Sequence, residues 1–292
     1  MRIRTRLRKM LGLPSASRIL MVPHHAAHAA SAFYPSPFER AAVLTIDAAG
    51  EWTTTGLGLG DGTRLTTFRE IGFPHSLGLL YAAVTEYLGF RMVHDEQKVM
   101  ALAGTVPGAP RALNLMRRLV RLEPDGTFRL DLDWFEFHKY GRPRWFSEKF
   151  IRAAGPPRAP GDPLEDRHAA LAAALQAVPE EPTFHLLRWL HGRTGADGVC
   201  LAGGVALNSV LNGKIRDATP FREVFIPPAA GDAGTAYGAA AWAAHAIAGE
   251  ARHSVLAHDF WGPEIREDEI ARALAGRHLP SRTLADPPRE AA

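Results

Sequence analysis

The segment Pro23-His24-His25-Ala26-Ala27-His28 sets two imidazoles four residues apart. On a helix, residues at that spacing share a face. His24 and His28 can therefore offer two nitrogens to one ion, with alanines leaving room between them. His25 points about 100° away from His24 by helix geometry. A hard or borderline divalent metal also wants carboxylates. Two acids fit. Asp47 closes the apolar run Ala41–Asp47 and is followed by Ala-Ala-Gly. Asp232 lies in Gly231-Asp232-Ala233-Gly234-Thr235, at a predicted helix start. The plainer alternatives are a helix face that carries histidines without an ion, and an Asp232 that acts as an N-cap. Capping and ligation are compatible.

A second group of residues suits a nucleotide. Leu201-Ala202-Gly203-Gly204-Val205-Ala206-Leu207-Asn208 reads as a strand, two glycines and a helix. Glycines let a ligand approach the backbone closely, and a helix N-terminus favours negative charge. Asn208 is suited to a hydrogen bond with a ribose or base. The Gly231–Gly234 turn repeats the device. Gly203, Gly204, Val205, Asn208, Gly231 and Gly234 are thus the candidate nucleotide contacts, with a purely structural turn as the alternative. A third group is His75, in Pro74-His75-Ser76-Leu77-Gly78, and Lys98, in an otherwise apolar helix. A lysine in that setting is suited to a phosphate oxygen. A turn histidine and a snorkelling lysine are the bland readings.

These residues need elements to hold them. The pattern predicts a short buried strand at Arg18–Val22, a helix over His24–Phe33 and a central strand over Ala41–Asp47. A hairpin follows, from Trp52–Leu59 to Thr63–Phe68 around Asp61-Gly62. Helices are expected at Ser76–Leu88, Asp95–Ala103 and about Ala112–Arg121, with a hairpin at Asp125-Gly126. The helical pattern of Leu164–Arg193 contains Pro179 and Pro182, which should interrupt it. A strand (Gly198–Leu201), a helix (Val205–Ile215), a strand (Glu223–Ile226) and a helix from Ala233 complete a βαβα pattern. Strand, glycine turn and hairpin in this order suggest an α/β, actin-like nucleotide-binding fold.

The 292 residues suit one large domain or two lobes around a cleft. Net charge is +3, too little to argue for nucleic acid. The single cysteine, Cys200, excludes an internal disulfide framework, fits a reducing, cytoplasmic setting and reads as a buried strand residue. No apolar run reaches the roughly 18 residues of a membrane span. Residues 1–17 read as a basic N-terminal helix, 18–275 as the core with an insertion at about 106–163, and 276–292 as a disordered tail. The insertion is rich in aromatics, Trp134 to Trp145, which either shape a ligand pocket or, the commoner use, pack a core.

Taken together, HHAAHAASAFYPSPF, AAVLTIDAAGEWTTT, FPHSLGLLYAAVTEYLGF, EQKVMALAG, LAGGVALNSVLNGKI and IPPAAGDAGTAYGAA resemble the O-carbamoyltransferase family of nodulation and antibiotic tailoring. The blocks occur in family order from about residue 18 to 245. The resemblance implies an actin-like (ASKHA, ribonuclease H-like) domain. It implies metal ligands at His24, His28, Asp47 and Asp232, with Fe(II) or another divalent ion and Mg alongside ATP. It implies an adenylate held by the Gly203-Gly204 turn and Asn208. The implied reaction moves a carbamoyl group from carbamoyl adenylate to a hydroxyl of a sugar or natural product, with His25, His75 or Lys98 assisting. The adenylate would come from carbamoyl phosphate and ATP in a YrdC-like domain or chain in trans. A second copy of the chain is a further candidate partner.

Departures from the family pattern set further expectations. Nothing before Arg18 matches the family's opening strand-turn-strand segment, and no YrdC-like part follows the Gly262-Pro263 region, so an incomplete N-terminus and a partner chain are expected. Ala48 stands where glycine is usual, and alanine replaces an expected acid in Arg167–Ala172. A non-catalytic or partner-dependent fragment, and an actin-fold kinase or phosphatase, are the competing readings.

Overall fold

In the computed structural model, which describes residues 3–260, 262–277, 280–282, 284 and 289, the arginine-rich start forms helix α1 (Ile3–Met10), with no buried residue. The segment Arg18–Val22 is not the strand its apolar residues predict. It is irregular, with Leu20 and Met21 exposed. It pairs with no strand, and Pro23, which has no N–H to give, leads directly into α2 (His24–Phe33).

The centre of the fold is β1 (Arg40–Gly50), followed by β2 (Thr53–Asp61) and β3 (Arg64–Gly72). Then come α3 (Leu77–Tyr87), capped by the Ser76 hydroxyl, and α4 (Glu96–Ala103). The insertion folds as α5 (Pro110–Arg117), the small hairpin β4 (Val120–Leu122) and β5 (Phe128–Leu130), and α6 (Glu148–Ala154). Its aromatics largely pack a core: Trp134, Phe135, Phe146 and Phe150 are buried, whereas Tyr140 is fully exposed.

Helix α7 (Asp166–Thr194) runs without a break through Pro179 and Pro182, against expectation. Each proline removes one donor, leaving the carbonyls of Leu175 and Val178 without their usual partners. Burial outweighs that loss. Both prolines are buried, as are Leu171, Leu175, Leu186, Leu187 and Leu190, and tertiary packing of a helix routinely overrides local propensity.

After β6 (Gly198–Ala202) a 3-10 turn, Gly204–Leu207, precedes α8 (Ser209–Ala218). The expected helix over Val205–Ile215 therefore starts late, because Asn208 caps it. Strand β7 (Glu223–Phe225), a 3-10 turn at Asp232–Gly234 and α9 (Thr235–Ala241) follow, and α9 passes into a π-helical turn, Trp242–Ile247. Residues 257–292 form a separate unit containing α10 (Glu267–Gly276); the expected disordered tail, 276–292, lies mostly outside the described residues. Among the described residues no helix is long and apolar enough to cross a membrane.

The sheet order is β3-β2-β1-β6-β7, with β1–β3 antiparallel and β1, β6 and β7 parallel. Alternation along β1 decides what meets what. Ala42, Leu44 and Ile46 join the large core with α3 and α7, while Ala41 and Val43 pack with α2 and α9. Thr45 and Asp47 continue the second set, so parity alone carries the Asp47 carboxylate to the face that α2 covers.

Two contacts fix α2 on that face. Gly238 of α9 packs so closely on α2 that a Cβ there would collide with the Ala27 carbonyl. At the other end, the Arg252 guanidinium donates to the carbonyls of Phe33 (3.2 Å), Tyr34 (3.2 Å), Ser36 (2.8 Å) and Phe38 (2.7 Å). It also stacks 4.5 Å from the Phe33 ring centre. Helix C-termini leave carbonyls that need such donors. Arg252→Ala is expected to cost about 2–4 kcal/mol by stranding these carbonyls. Arg252→Lys should recover only part, since an ammonium cannot span four acceptors as a planar fork does. Urea unfolding of the three proteins measures this; equal stability of Ala and wild type would show the clamp is idle.

Candidate metal centre

The N-terminal turn of α2 brings His24 and His28 over the end of β1. His24 Nε2 lies 2.9 Å from Asp47 Oδ2, His28 Nε2 lies 3.2 Å from the same oxygen, and the two nitrogens are 3.0 Å apart. Asp232, on the turn before α9, places Oδ1 3.4 Å from both nitrogens. One donor atom from each of the four residues lies within 4.8 Å of all the others. With metal–ligand bonds of about 2.1 Å, neighbouring donors sit about 3.0 Å apart in an octahedron and about 3.4 Å in a tetrahedron. The spacings match such a shell, and two imidazoles with two carboxylates suit a borderline divalent cation.

Protons alone satisfy this cluster poorly. His28 is fully buried, and its Nδ1 has no hydrogen-bond partner. A proton on Nδ1 is buried without an acceptor; a proton on Nε2 leaves a bare buried lone pair. Either costs about 1–3 kcal/mol. Only the Nδ1-protonated form turns the His28 lone pair toward His24, Asp47 and Asp232, where a cation would meet it.

The carboxylate is aimed by the backbone. Asp47 Oδ1 accepts from Ala48 N (2.8 Å) and Gly204 N (3.1 Å), which leaves Oδ2 for the imidazoles. Burial pushes the Asp47 carboxyl up, but hydrogen bonds from His28, His24 and Ala48 outweigh it and hold the group well below the usual carboxylate range. The Ser76 hydroxyl bridges the Asp47 and Ala48 carbonyls at 3.1 and 2.7 Å. Gly203 has φ +96°, and a Cβ there would strike the Ile46 backbone; at Gly204 it would sit 2.9 Å from Asp47 Oδ1. Gly203 N also donates to Ala230 O at 2.8 Å, tying this turn to the one that bears Asp232. Gly231 and Gly234 belong to that second turn, and Val205 packs on the core. Asp232 is the open member, with 75% of its side chain exposed.

The remaining candidates lie apart from the four ligands. His25 spends both nitrogens: Nε2 donates to the Thr53 carbonyl (2.9 Å), and Nδ1 accepts from the Thr45 hydroxyl (2.7 Å). Burial, with His28 nearby, pushes its pKa down to about 4. It anchors α2 to β1 and β2. His75 lines a different cavity, with Arg69 and Arg129, and its Nδ1 accepts from Leu130 N (3.2 Å). Burial and Arg129 lower its pKa, so the neutral ring presents Nε2–H, a donor. Lys98 pairs with Asp95 at 2.9 Å. Asn208 is held by Gln176 through two 3.0 Å amide bonds and caps Leu211 N, which commits its polar atoms locally. Cys200 is buried, with its thiol pushed up to about 12 by burial. Sequence reasoning missed Glu51, whose Oε2 accepts from His24 N (3.3 Å). Its only signal was an acid directly after the Gly50 turn.

The fold and this cluster define an α/β domain built around a two-histidine, two-aspartate candidate metal centre. Residues 7–241 match the family model described as the carbamoyltransferase N-terminus, and the chain belongs to that family. It is 42% identical over 264 residues to an uncharacterized protein of Synechocystis, covering 88% of this chain and 42% of that protein. It is 37% identical over 252 residues to the nodulation protein NolNO of Sinorhizobium fredii, covering 86% of this chain and 35% of that one. Identity to the nodulation protein NolO of Bradyrhizobium diazoefficiens is 36% over 247 residues, covering 84% and 42%. Among solved structures, HypF of T. kodakarensis aligns with a TM-score of 0.43 at 15% identity, over 84% of this chain and 38% of that one. The chain thus spans less than half the length of these relatives.

Two outcomes are expected. Asp47→Asn, which keeps the shape but removes the charge, should weaken binding of Fe(II) or Mn(II) about 100-fold or more, since even groups that merely orient ligands are worth 10–100-fold; Asp232→Asn should weaken it less, because that group is solvated. Titration calorimetry under anaerobic conditions ranks them, and an unchanged Asp47→Asn would remove the centre. Second, His25 is neutral when folded and titrates near its ordinary 6.5 when unfolded. Between those values the unfolded chain binds more protons, so stability is full above pH 6.5 and falls by up to about 3 kcal/mol toward pH 4. Asp47, held low, adds its own loss only at lower pH. Denaturant midpoints of metal-free protein at pH 7 and pH 4.5 check the slope, and His25→Gln should flatten it.

Proposed function

We propose that this chain is the carbamoyl-transferring domain of an O-carbamoyltransferase, acting on carbamoyl adenylate and a hydroxyl acceptor. The observation that carries this reading is the convergence of His24, His28, Asp47 and Asp232 beside the linked turns at Gly203-Gly204 and Gly231–Gly234. The order β3-β2-β1-β6-β7 supports an actin-like, ribonuclease H-like (ASKHA) sheet, with the nucleotide side at the ends of β1 and β6.

In this reading the four residues hold Fe(II) or a similar divalent ion, with Mg accompanying ATP. Such an ion supplies Lewis-acid polarisation of a carbonyl or phosphoryl oxygen. The chain's own residues do the rest. The two glycine turns would let the adenylate phosphate approach the protein backbone without side-chain interference. The acceptor oxygen attacks the carbamoyl carbon, a C–O bond forms, the anhydride C–O bond breaks and AMP leaves. The acceptor proton needs a base; Glu51 is the exposed carboxylate bordering His24 that the centre does not use. The donor is made from carbamoyl phosphate and ATP by a YrdC-like domain or chain, and the setting is cytoplasmic.

Incubation of the purified, Fe(II)-loaded chain with synthetic carbamoyl adenylate and a sugar alcohol tests the reading. Release of AMP with a carbamoylated product is expected, reduced at least about 100-fold in Asp47→Asn, an effect of the size seen when one electrostatic group is removed from a reaction site. Metal bound without any acceleration of AMP release would point instead to a non-catalytic, partner-dependent fragment. Turnover of ATP to ADP would point to a kinase or phosphatase.

A further inference from the structure

Trp52 stands at the apex of the β1–β2 turn with 77% of its surface exposed, and Phe73, 37% exposed, lies beside it. Their ring centres are 6.3 Å apart at 63°, and Phe73 N donates to the Trp52 carbonyl at 2.8 Å. An indole left in water offers a large apolar face with a polar edge, the usual form of a stacking surface. Its position is set by the metal centre. Gly50 packs so tightly on the His24 ring that a Cβ there would collide with it, and the Glu51 carboxylate reaches His24 N. Glu51 holds φ +53°, a conformation that costs a non-glycine residue energy and that marks functional turns. Two residues of chain span at most about 7 Å, so the Trp52 backbone lies within that reach of Gly50.

The sheet order separates two flanks of the centre. β1 has β6 on one side and β2 on the other. The Gly203-Gly204 turn follows β6 and the Gly231–Gly234 turn follows β7; the Trp52–Phe73 pair sits at the β1–β2 turn and just past the end of β3. A cavity of about 320 Å³ adjoins the same strand end, lined by Gly72 and His75, which bracket Phe73-Pro74 in the chain, and by Arg69, Glu70, Asp125, Thr127 and Arg129. Two arginines face two carboxylates there, with a hydroxyl and an imidazole. Arg69 and the Thr127 hydroxyl are spent on Asp125, so Glu70, Arg129 and the His75 Nε2–H are what this lining offers a ligand, with little net charge, which suits a neutral polyhydroxyl ligand.

We propose that Trp52 and Phe73 form the platform on which the acceptor is stacked as a sugar ring, on the β2 flank of the metal centre and opposite the nucleotide turns. The inference rests on the carbamoyl-transfer reading for the word acceptor, but sugar binding is measured without any turnover. A ring stacked on the indole by its C–H face keeps its hydroxyls free for the polar groups around it.

The test is saturation-transfer difference NMR and calorimetry on the full chain. The probes are methyl glycosides of a neutral hexose, an N-acetylhexosamine and an aminohexose, with AMP titrated separately. At least one glycoside is expected to bind. Trp52→Ala should weaken it about tenfold or more, in line with the weight of aromatic contacts; Trp52→Tyr should stay within about threefold, and Phe73→Ala should fall between. AMP affinity and bound metal should be unchanged in all three variants. The proposal is overturned if no glycoside binds the wild-type chain, if Trp52→Ala binds glycosides as wild type does, or if Trp52→Ala loses AMP instead. Absence of bound metal with glycoside binding intact would count against the transferase reading alone and leave the platform standing.

Discussion

One carboxylate organises this domain. Asp47 must leave the end of β1 on the side that α2 covers, with one oxygen tied down and the other free. Strand parity provides the side, and the Ala48 and Gly204 amides tie down Oδ1. Every neighbouring feature then follows as a requirement. Gly203 and Gly204 must lack side chains so that the β6 turn can reach the carboxylate. Ser76 must hold the β1 end from the α3 side. Helix α2 must lie close enough for two imidazoles to meet one oxygen, which explains the alanines between the histidines and the glycine of α9 against Ala27.

The geometry also sorts the polar residues around the centre by whether their atoms are free. His25 and Asn208 look like ligand-binding residues by type, yet each has its polar atoms bonded within the protein. They make the site rigid. Asp232 and Glu51 keep carboxylate oxygens toward solvent, and these are the groups that an incoming molecule meets first. The candidate centre thus has a fixed interior and an open rim.

Much of this was legible in the chain itself. The i, i+4 histidines, the strand that closes on Asp47, the paired glycines and the Asp232 turn each carry a local signal, and together they point to the four residues that the fold assembles. What was not legible depended on tertiary context. Pro179 and Pro182 read as breakers, but a helix buried along most of its length tolerates them. Arg18–Val22 reads as a strand, but it pairs with neither edge of the sheet and stays irregular, with Leu20 and Met21 exposed. The partner of His75 is a backbone amide from a hairpin 55 residues away, and no spacing rule could reveal it.

Arg252 gives the architecture an order in time. It closes the end of α2 from 219 residues further along the chain than Phe33. At ribosomal speeds of about 5–20 residues per second, the helix bearing the histidines waits roughly 10–40 s for the carbonyls at its C-terminal end and in the turn beyond it to be covered. Arg252 also lies beyond residue 241, where the family match stops. A protein trimmed to the recognisable family segment would keep all four ligands and still lose the strap that holds two of them in register.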